Sequence, residues 1–201
     1  IGSRLVGSEM CIRDSSNVDG SKASEITLEN VSVPKENLLG EEGKALNTIS
    51  EVIDLATLAI SAEAVGIMQK MNELTLDYTK TREQFGQALS KFQALQHRMV
   101  DTFMVHEQTK SLLLMAAAKM NDKAADTSKS ISALKYQIGS AAKLIGEESI
   151  QLHGGMGVTE EMSIGHYFKR LTTIRTIFGN SDYHLKRSVS YTHLTLPTSS
   201  V

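Results

Sequence analysis

The interior of this chain is free of proline over a long stretch. The 201 residues contain two prolines, Pro34 and Pro197, and none between them. A proline inside a helix removes a backbone hydrogen bond and clashes with the preceding turn, so its absence permits long helices. Apolar side chains recur every three or four residues through this interior, as they do on the buried face of an amphipathic helix. The sequence therefore predicts a mainly α fold.

Breaks in this periodicity divide the interior into helices joined by short loops. Helical spacing begins near Ala45 and stops at 82–89, where Gly86 is the expected loop residue. It resumes in three stretches, at about 92–120, 128–152 and 162–171. Ser181 can cap a last short helix. Three long helices and a broken fourth predict an up-and-down four-helix bundle. The third helix has a face of small residues, which predicts a close helix contact, at Gly139, Ala142, Gly146 and Ser149.

The sharpest break is a glycine corner after the third helix, with Gly154, Gly155 and Gly157 in four residues. Gly154 or Gly155 is the expected C-cap, in the left-handed region. Thr159 is the expected start of the next helix, because acidic residues follow it. Bare backbone of this kind lets a ligand or a neighbouring chain come close. An ordinary corner between two helices would explain the same residues.

A different pattern precedes the helices. Ile26 and Leu28 alternate with polar residues, and Val31 and Val33 do so less regularly. This predicts one or two short strands with a turn near Glu29 and Asn30. An isolated pair of strands is only marginally stable in water. We therefore expect this pair to belong to a larger sheet that these residues do not contain.

Composition excludes several classes of function. The net charge of −2 gives no reason to expect binding to nucleic acid or to an anionic membrane. The single cysteine, Cys11, excludes an internal disulfide and a cysteine-based metal site, and the six histidines lack metal-ligand spacing. No apolar run is long enough to span a bilayer. The absence of a basic-then-apolar start and the lone cysteine lead us to expect a cytoplasmic protein.

Three motifs, in this order and spacing, resemble the C-terminal helical domain of the acyl-CoA dehydrogenases. They are Arg-Glu-Gln-Phe-Gly at 82–86, Phe-Gln-Ala-Leu-Gln-His at 92–97 and Gln-Leu-His-Gly-Gly-Met-Gly at 151–157. Segment 33–40 resembles the exit from the family's middle β-domain, and the likeness covers about 17–188. The family's flavin enzymes introduce a double bond between the α and β carbons of acyl-CoA thioesters. The resemblance implies a fragment of such a subunit.

This resemblance also implies a division of the chain. The middle β-domain would leave a remnant with its linker at 17–42, and the helical bundle would occupy 43–188. Segments 1–16 and 189–201 look non-native, because both resemble translated sequencing-adapter sequence; disordered tails are the alternative. The family's N-terminal helical domain and most of its β-domain are expected to be missing from these residues.

FAD is the implied cofactor, in a site shared with a neighbouring subunit of a homo- or hetero-oligomer, and acyl-CoA is the implied substrate. The implied cofactor-binding residues are Arg82, Gln84, Phe85, Gln93, Gln151, Gly154, Gly155 and Ser181. Arg82 and Gln84 would contact the pyrophosphate, whose negative charge favours a guanidinium group. Phe85 would lie near the nucleotide end, with the later glutamines and glycines on the adenosine side. Taken singly, the arginine and glutamines also fit ordinary surface residues.

The resemblance reveals one departure from the family, at the catalytic base. The reaction needs a carboxylate to accept the α proton. Many members carry a glutamate in a Tyr-Glu-Gly-Thr run, which 178–181 matches with Gly179 in its place. Others carry it on the first helix of this domain, where Ala56 stands. Asp54 and Asp182 are alternative bases, although neither has the right position.

The missing base points to one chain type of the family. Segments 165–171 and 177–185 resemble the base-less chain of heteromeric acyl-CoA dehydrogenases, which act on dicarboxyl-, aryl- or sterol-derived CoA esters. The expected role is therefore to complete a flavin site shared with a partner. A flavin-free helical assembly subunit is the alternative. In either case we expect these residues alone to bind FAD poorly, to be inactive and to self-associate through an exposed apolar face.

Overall fold

The computed structural model describes residues 9–189. Its helices are α1 (Leu46–Thr81), α2 (Gln93–Asn121), α3 (Thr127–His153), α4 (Ser163–Ile174) and α5 (Ser181–Val189). Its strands are β1 (Glu9–Ser16), β2 (Lys22–Glu29), β3 (Glu83–Gln84) and β4 (Gln87–Ala88). Residues 1–8 and 190–201, which belong to the two expected tails, lie outside the described part.

The chain divides between Val52 and Ile53 into two compact units, and the first contains a β-hairpin. Strands β1 and β2 pair antiparallel, with Glu9 opposite Glu29 and Ser16 opposite Lys22. The backbone N–H of Asn17 donates to Ser21 O at 2.8 Å and closes the turn. Strand β2 leaves its apolar side chains exposed: Ile26 is 60% accessible and Leu28 is 58% accessible.

This hairpin corrects two sequence predictions. Residues 9–16 form a strand, although no element was expected in 1–16, and the turn lies at 17–21 rather than at Glu29 and Asn30. Asparagine, aspartate and glycine within 17–20 are strong turn formers, and this turn chemistry was the missed signal. Asn30 takes a positive φ of 51°, which ends β2, and residues 31–33 join no strand.

The second unit is the expected helical bundle, built around α3. This helix packs against α2, α4 and α5, so two short helices occupy the place of the broken fourth. The buried core takes residues from four helices: Ala64, Val65, Met68, Met71, Ala116, Ile131, Leu134, Ile138, Ala141, Ala142, Ile145, Ile164, Leu171 and Ile174. The prediction of a mainly α, up-and-down four-helix bundle is confirmed.

The small-residue face of α3 provides the close contacts that were predicted. A Cβ atom added at Gly139 would lie 1.9 Å from Ser181 Oγ of α5. One added at Gly146 would lie 2.9 Å from Phe168 Cδ2 of α4. Glycine at these positions therefore sets how closely α4 and α5 approach α3.

The buried faces of α1 and α2 are more polar than their apolar spacing predicted. On α1, hydroxyl side chains are buried at Thr57, Ser61, Thr75 and Thr79, whereas Ile49 and Val52 are exposed. Thr57 donates to Ile53 O and Ser61 to Thr57 O, each at 2.7 Å. A hydroxyl that bonds the carbonyl one turn earlier is satisfied within its own helix, so it can be buried among apolar residues.

Candidate functional site

A cavity of about 520 Å³ lies where the end of α1, the β3–β4 hairpin, the start of α2 and the end of α3 meet. Its lining is Tyr78, Arg82, Gln84, Leu89, Leu95, Arg98, Gln151, Leu152, His153, Gly154, Gly155 and Met156. Five of these were singled out from the sequence: Arg82, Gln84, Gln151, Gly154 and Gly155. The fold therefore brings together residues that are up to about seventy positions apart.

The glycine corner exposes its backbone to this cavity. Gly154 is the C-cap of α3, as one of the two expected residues. Its φ of 59° favours glycine, but its ψ of −140° lies outside the left-handed helical region that was expected. A Cβ atom added at Gly154 or Gly155 would meet nothing within 4 Å, so both flank open space. Gly157 differs, because its Cβ would lie 2.8 Å from Ile150 O. Two glycines of the corner thus leave room for a ligand, and the third is needed for packing.

The helix after the corner begins later than predicted. Residues Gly154–Val158 form a 3-10 turn, and α4 begins at Ser163 rather than near Thr159. The Thr159 hydroxyl donates to Met156 O at 2.9 Å, which ties the residue to the preceding turn. Its side chain therefore closes the 3-10 turn and does not cap the next helix.

His153 and Tyr78 form an aromatic wall of the cavity. Their rings stack with centroids 4.4 Å apart and planes 23° from parallel. His153 is buried, and its Nδ1 donates to Ser149 O at 2.8 Å. Burial lowers the pKa of His153, and the bond to Ser149 opposes this in part. Burial therefore favours the neutral form of this imidazole.

Two arginines line the cavity, and they differ in their partners. Arg98 is paired with Glu148 of α3. Arg82 follows the last turn of α1, where its N–H donates to Tyr78 O at 2.8 Å, and its side chain is exposed. Within the part of the chain that the structure describes, Arg82 forms no ion pair. Its guanidinium is therefore available to an anion that enters the cavity.

Phe85 stands beside this cavity on the hairpin between β3 and β4, and it does not line the cavity. Phe85 and Gly86 both have positive φ, 55° and 79°, as in a two-residue type I′ turn. The Phe85 ring is 91% exposed and meets Phe92 edge to face at 6.2 Å. A phenylalanine in the left-handed region is unusual, and such strain often marks a functional position.

The remaining two predicted residues lie elsewhere. Gln93 is exposed at the start of α2 and is not part of the cavity wall. Ser181, the first residue of α5, lines a second cavity of about 370 Å³ with Thr172, Arg175, Thr176, Asn180 and Asp182. The structure therefore separates Ser181 from the five residues that gather at the glycine corner.

The positions considered for a catalytic base carry no free buried carboxylate. Gly179 has a φ of 108°, and Ala56 is half-buried on α1. Asp54 is buried, but Arg187 donates to both of its oxygens, at 2.6 and 3.0 Å, and Ser128 donates to one of them. Asp182 is exposed in the first turn of α5. Asp54 therefore links α1, α3 and α5.

Sequence reasoning missed several residues of these sites. Tyr78 lies one helical turn before Arg82, and this spacing could have placed it on the same wall. Arg98 has no comparable signal in the sequence. In the described residues, no cluster of histidine, cysteine or acidic side chains could hold a metal ion. Over the same range, no helix has the length and apolar character needed to cross a membrane.

Comparison with known proteins gives consistent matches. The family model described as "Acyl-CoA dehydrogenase, C-terminal domain" matches residues 44–189. The probable acyl-CoA dehydrogenase YngJ of Bacillus subtilis is 35% identical over 151 residues, which are 75% of this chain and 40% of YngJ. The caffeyl-CoA reductase-Etf complex subunit CarC of Acetobacterium woodii is 30% identical over 75% of this chain and 39% of CarC.

A solved structure adds the same match in three dimensions. Butyryl-CoA dehydrogenase of Megasphaera elsdenii superposes with a TM-score of 0.86 at 25% identity, covering 96% of this chain and 50% of the other. The chain thus spans about two fifths of the length of the curated relatives YngJ and CarC.

Proposed function

This chain belongs to the acyl-CoA dehydrogenase family, of which it carries the C-terminal helical domain, and we propose that it forms part of an FAD-dependent subunit that shares its flavin site with a partner. The proposed reaction is the α,β-dehydrogenation of an acyl-CoA thioester. The single observation that carries the proposal is the cavity at the glycine corner, which is lined both by bare backbone and by an arginine that forms no ion pair within residues 9–189.

The residues present at this cavity fit the cofactor. The FAD pyrophosphate is dianionic, and Arg82 is a guanidinium without an ion pair in the described chain. Gln84 and Gln151 provide amide groups, and Gly154 and Gly155 leave open space in which a Cβ would meet nothing. Arg82 and Gln84 would hold the pyrophosphate, with Gln151 and the glycine backbone on the adenosine side. When bound, FAD would supply the hydride acceptor of the reaction.

A site shared between subunits accounts for the predicted residues outside the cavity. Phe85 projects from its hairpin with 91% of its surface exposed, so it can contact a cofactor held mainly by another chain. Gln93 is exposed nearby at the start of α2. Ser181 lines a different cavity, so its contact would be to a different part of a cofactor or to a second one. The relative CarC is named as a subunit of a complex, which favours such an assembly.

The proton-accepting carboxylate would come from the partner subunit. Gly179 and Ala56 offer no acidic group at the two positions that the family resemblance points to. Asp54 is engaged by Arg187 and Ser128, so it is not free to accept a substrate proton. Asp182 is exposed to water, and a general base works best in a water-poor pocket. The proposed role of this chain is therefore to bind and orient FAD.

The test is the visible flavin spectrum of the full gene product, purified alone and after co-expression with neighbouring dehydrogenase-like genes. Flavin that appears only in a co-purified pair is the expected result. Flavin together with turnover in the single chain would overturn the shared, base-less site. In that case Asp182→Asn would test Asp182 as the base. Asp54→Asn would test Asp54 only if circular dichroism shows that the variant remains folded, because Asp54 also pairs with Arg187.

A helical assembly subunit without flavin is the second candidate, and one observation favours it. A groove of about 550 Å³ between α1 and α2 has an apolar floor that includes Leu76, Val100 and Phe103, all exposed. Exposed apolar grooves often bind another protein chain. This groove would serve subunit assembly under either candidate.

Arg82→Ala separates the two candidates. If Arg82 binds the pyrophosphate, its loss should weaken FAD binding by about 1.5–3 kcal/mol, the usual contribution of a hydrogen bond to a charged group. Lys80→Ala is the matched control, since Lys80 is an exposed cation two residues earlier that does not line the cavity. Fluorescence titration of the co-expressed complex with FAD measures both. Equal affinities in the two variants would favour the assembly subunit.

A further inference from the structure

The turn between α4 and α5 has a backbone conformation that needs external support. Phe178 and Gly179 have positive φ in succession, 58° and 108°. A left-handed conformation is unfavourable for a non-glycine residue such as phenylalanine. The turn is closed by its own backbone through one bond, from Gly179 N–H to Thr176 O at 3.3 Å. That single long bond is a weak constraint, so the groups around the turn must hold it.

Lys135 of α3 supplies the first support. Its side chain is 1% exposed, and Nζ donates to Ile174 O at 2.7 Å and to Gly179 O at 3.3 Å. These two carbonyls belong to the end of α4 and to the turn itself. The ammonium therefore bridges both ends of the segment 174–179 and satisfies carbonyls that the end of a helix leaves without partners.

His184 of α5 supplies the second support. It is 1% exposed, and Nε2 donates to Phe178 O at 3.0 Å. A carbonyl can only accept, so Nε2 carries the proton in this bond. Successive carbonyls of the turn, those of Phe178 and Gly179, are thus bound by buried side chains from two different helices.

Glycine at position 179 is part of the same arrangement. A Cβ atom there would lie 2.5 Å from Cδ1 of Tyr183 and 3.1 Å from Nε2 of His184. A side chain at 179 would therefore have to move the Tyr183 ring and press against the histidine that binds the turn, in addition to the strain of a φ of 108°. Asn180 fixes the start of α5 beyond the turn, since its Oδ1 accepts from Tyr183 N–H at 3.0 Å.

We propose that Lys135 and His184 are positioning residues that clamp the Phe178–Gly179 turn in a conformation open only to glycine at position 179. The clamp excludes an acidic side chain at 179, so the absence of a base there is built into the backbone and cannot be restored by one substitution. This consequence for catalysis rests on the proposed function. The clamp itself does not, because it is defined by contacts within the bundle.

The experiment is amide hydrogen exchange over residues 175–184 in the full 201-residue chain. Lys135→Met and His184→Leu remove the donors, and each should speed exchange in this segment about tenfold or more. Lys135→Arg and His184→Gln keep a donor and should stay within about threefold of the parent. If Lys135→Met fails to fold, the comparison of His184→Leu with His184→Gln is sufficient to test the proposal. Unchanged exchange in His184→Leu, or equal acceleration in His184→Gln, would overturn the clamp.

Coupling to glycine gives a second, independent test. Gly179→Ala should also speed amide exchange in 175–184. In the double variant with His184→Leu, exchange should be no faster than in the faster single variant, because both substitutions disrupt the same set of contacts. Gly66→Ala is the control, since Gly66 lies within α1 and an added Cβ meets nothing there. Multiplied effects in the double variant would contradict the proposal. None of these measurements depends on flavin, so the clamp and the proposed function can fail separately.

Discussion

The corner at Gly154–Gly155 and the turn at Phe178–Gly179 both follow a helix of the same bundle, and both use glycine with a positive φ, but the space around them differs. An added Cβ meets nothing within 4 Å at the corner, whereas at Gly179 it would collide with Tyr183 and His184. The corner borders a cavity that is also lined by Arg82, which has no ion-pair partner among the described residues. At the turn, the buried side chains of Lys135 and His184 bind the carbonyls of Gly179 and Phe178.

This difference separates two uses of the same residue. At the corner, glycine keeps backbone accessible, and substitution should affect binding more than folding. At the turn, glycine permits close packing, and substitution should affect folding first. We call the surroundings of the Gly154–Gly155 corner the open region and those of the Phe178–Gly179 turn the closed region. The closed region also contains the Asp54–Arg187 pair. We therefore expect folding stability to depend on the closed region and ligand binding on the open region.

The largest expected effect is in the closed region, at Asp54. Asp54→Asn would remove the buried carboxylate that Arg187 binds. Since the Arg187 side chain is 27% exposed, we expect a loss towards the lower end for a buried pair, about 3–4 kcal/mol of unfolding free energy. Glu63→Gln is the matched control on the same helix, because Glu63 also binds an arginine, Arg170, but at the surface. We expect at most about 1 kcal/mol there. Urea unfolding of both variants measures the difference, and equal losses would contradict it.

Next in size is the pair Gly179→Ala and Gly155→Ala. Strain and collision at 179 should cost about 2–4 kcal/mol of unfolding free energy. Gly155→Ala should cost less than about 1 kcal/mol, because its Cβ enters open space. The same alanine should weaken FAD binding in the co-expressed complex if the cofactor crosses the corner. Similar stabilities for the two variants would remove the distinction between the regions.

An intermediate effect is expected from pH. Burial lowers the pKa of Lys135 to about 8, below the value of 10.5 for an exposed lysine. Between these pH values the unfolded chain binds more protons than the folded chain, so stability should rise as pH increases from about 8 to 10.5. Lys135→Met should flatten this rise. Urea unfolding at several pH values tests it, and an identical rise in both proteins would exclude Lys135 as its source.

The smallest expected effect has opposite signs for folding and binding. Phe85→Asn creates an Asn-Gly pair, which is the favoured sequence of a type I′ hairpin turn, so stability should increase by about 0.5–1 kcal/mol. Flavin retention in the co-expressed complex should decrease if the exposed ring contacts the cofactor. Thermal unfolding and flavin content of one preparation measure both quantities. A gain in both would mean that Phe85 has no part in binding.

The sequence was most informative where neighbours along the chain decide the structure. The glycine face of α3, the C-cap at Gly154 and the loop at Gly86 follow from local spacing and from the conformations that glycine allows. Arg82 and Gln151 meet at one cavity, but it was the family motifs rather than their spacing that linked them. The spacing along the sequence could not have placed Arg82 beside Gln151, because the packing of α1, α2 and α3 decides where the ends of these helices meet.

Contacts between distant segments could not be predicted. Asp54 and Arg187 are 133 positions apart, and nothing in either segment identifies the other as its partner. Lys135 was overlooked because a lysine within an amphipathic helix normally faces solvent. The buried hydroxyls of α1 were missed for a related reason. The spacing of apolar residues does not reveal a buried threonine whose hydroxyl donates a hydrogen bond to a carbonyl of its own helix.

The separation of Asp54 from Arg187 also determines when the bundle can close during synthesis. At ribosomal rates of about 5–20 residues per second, roughly ten seconds pass between the appearance of α1 and that of α5. During that interval the Asp54 carboxylate cannot pair with the Arg187 guanidinium, so α1 cannot adopt its final packing. We therefore expect α1 to α4 to collapse first as a loose intermediate, with docking of α5 as the late, ordering event of folding.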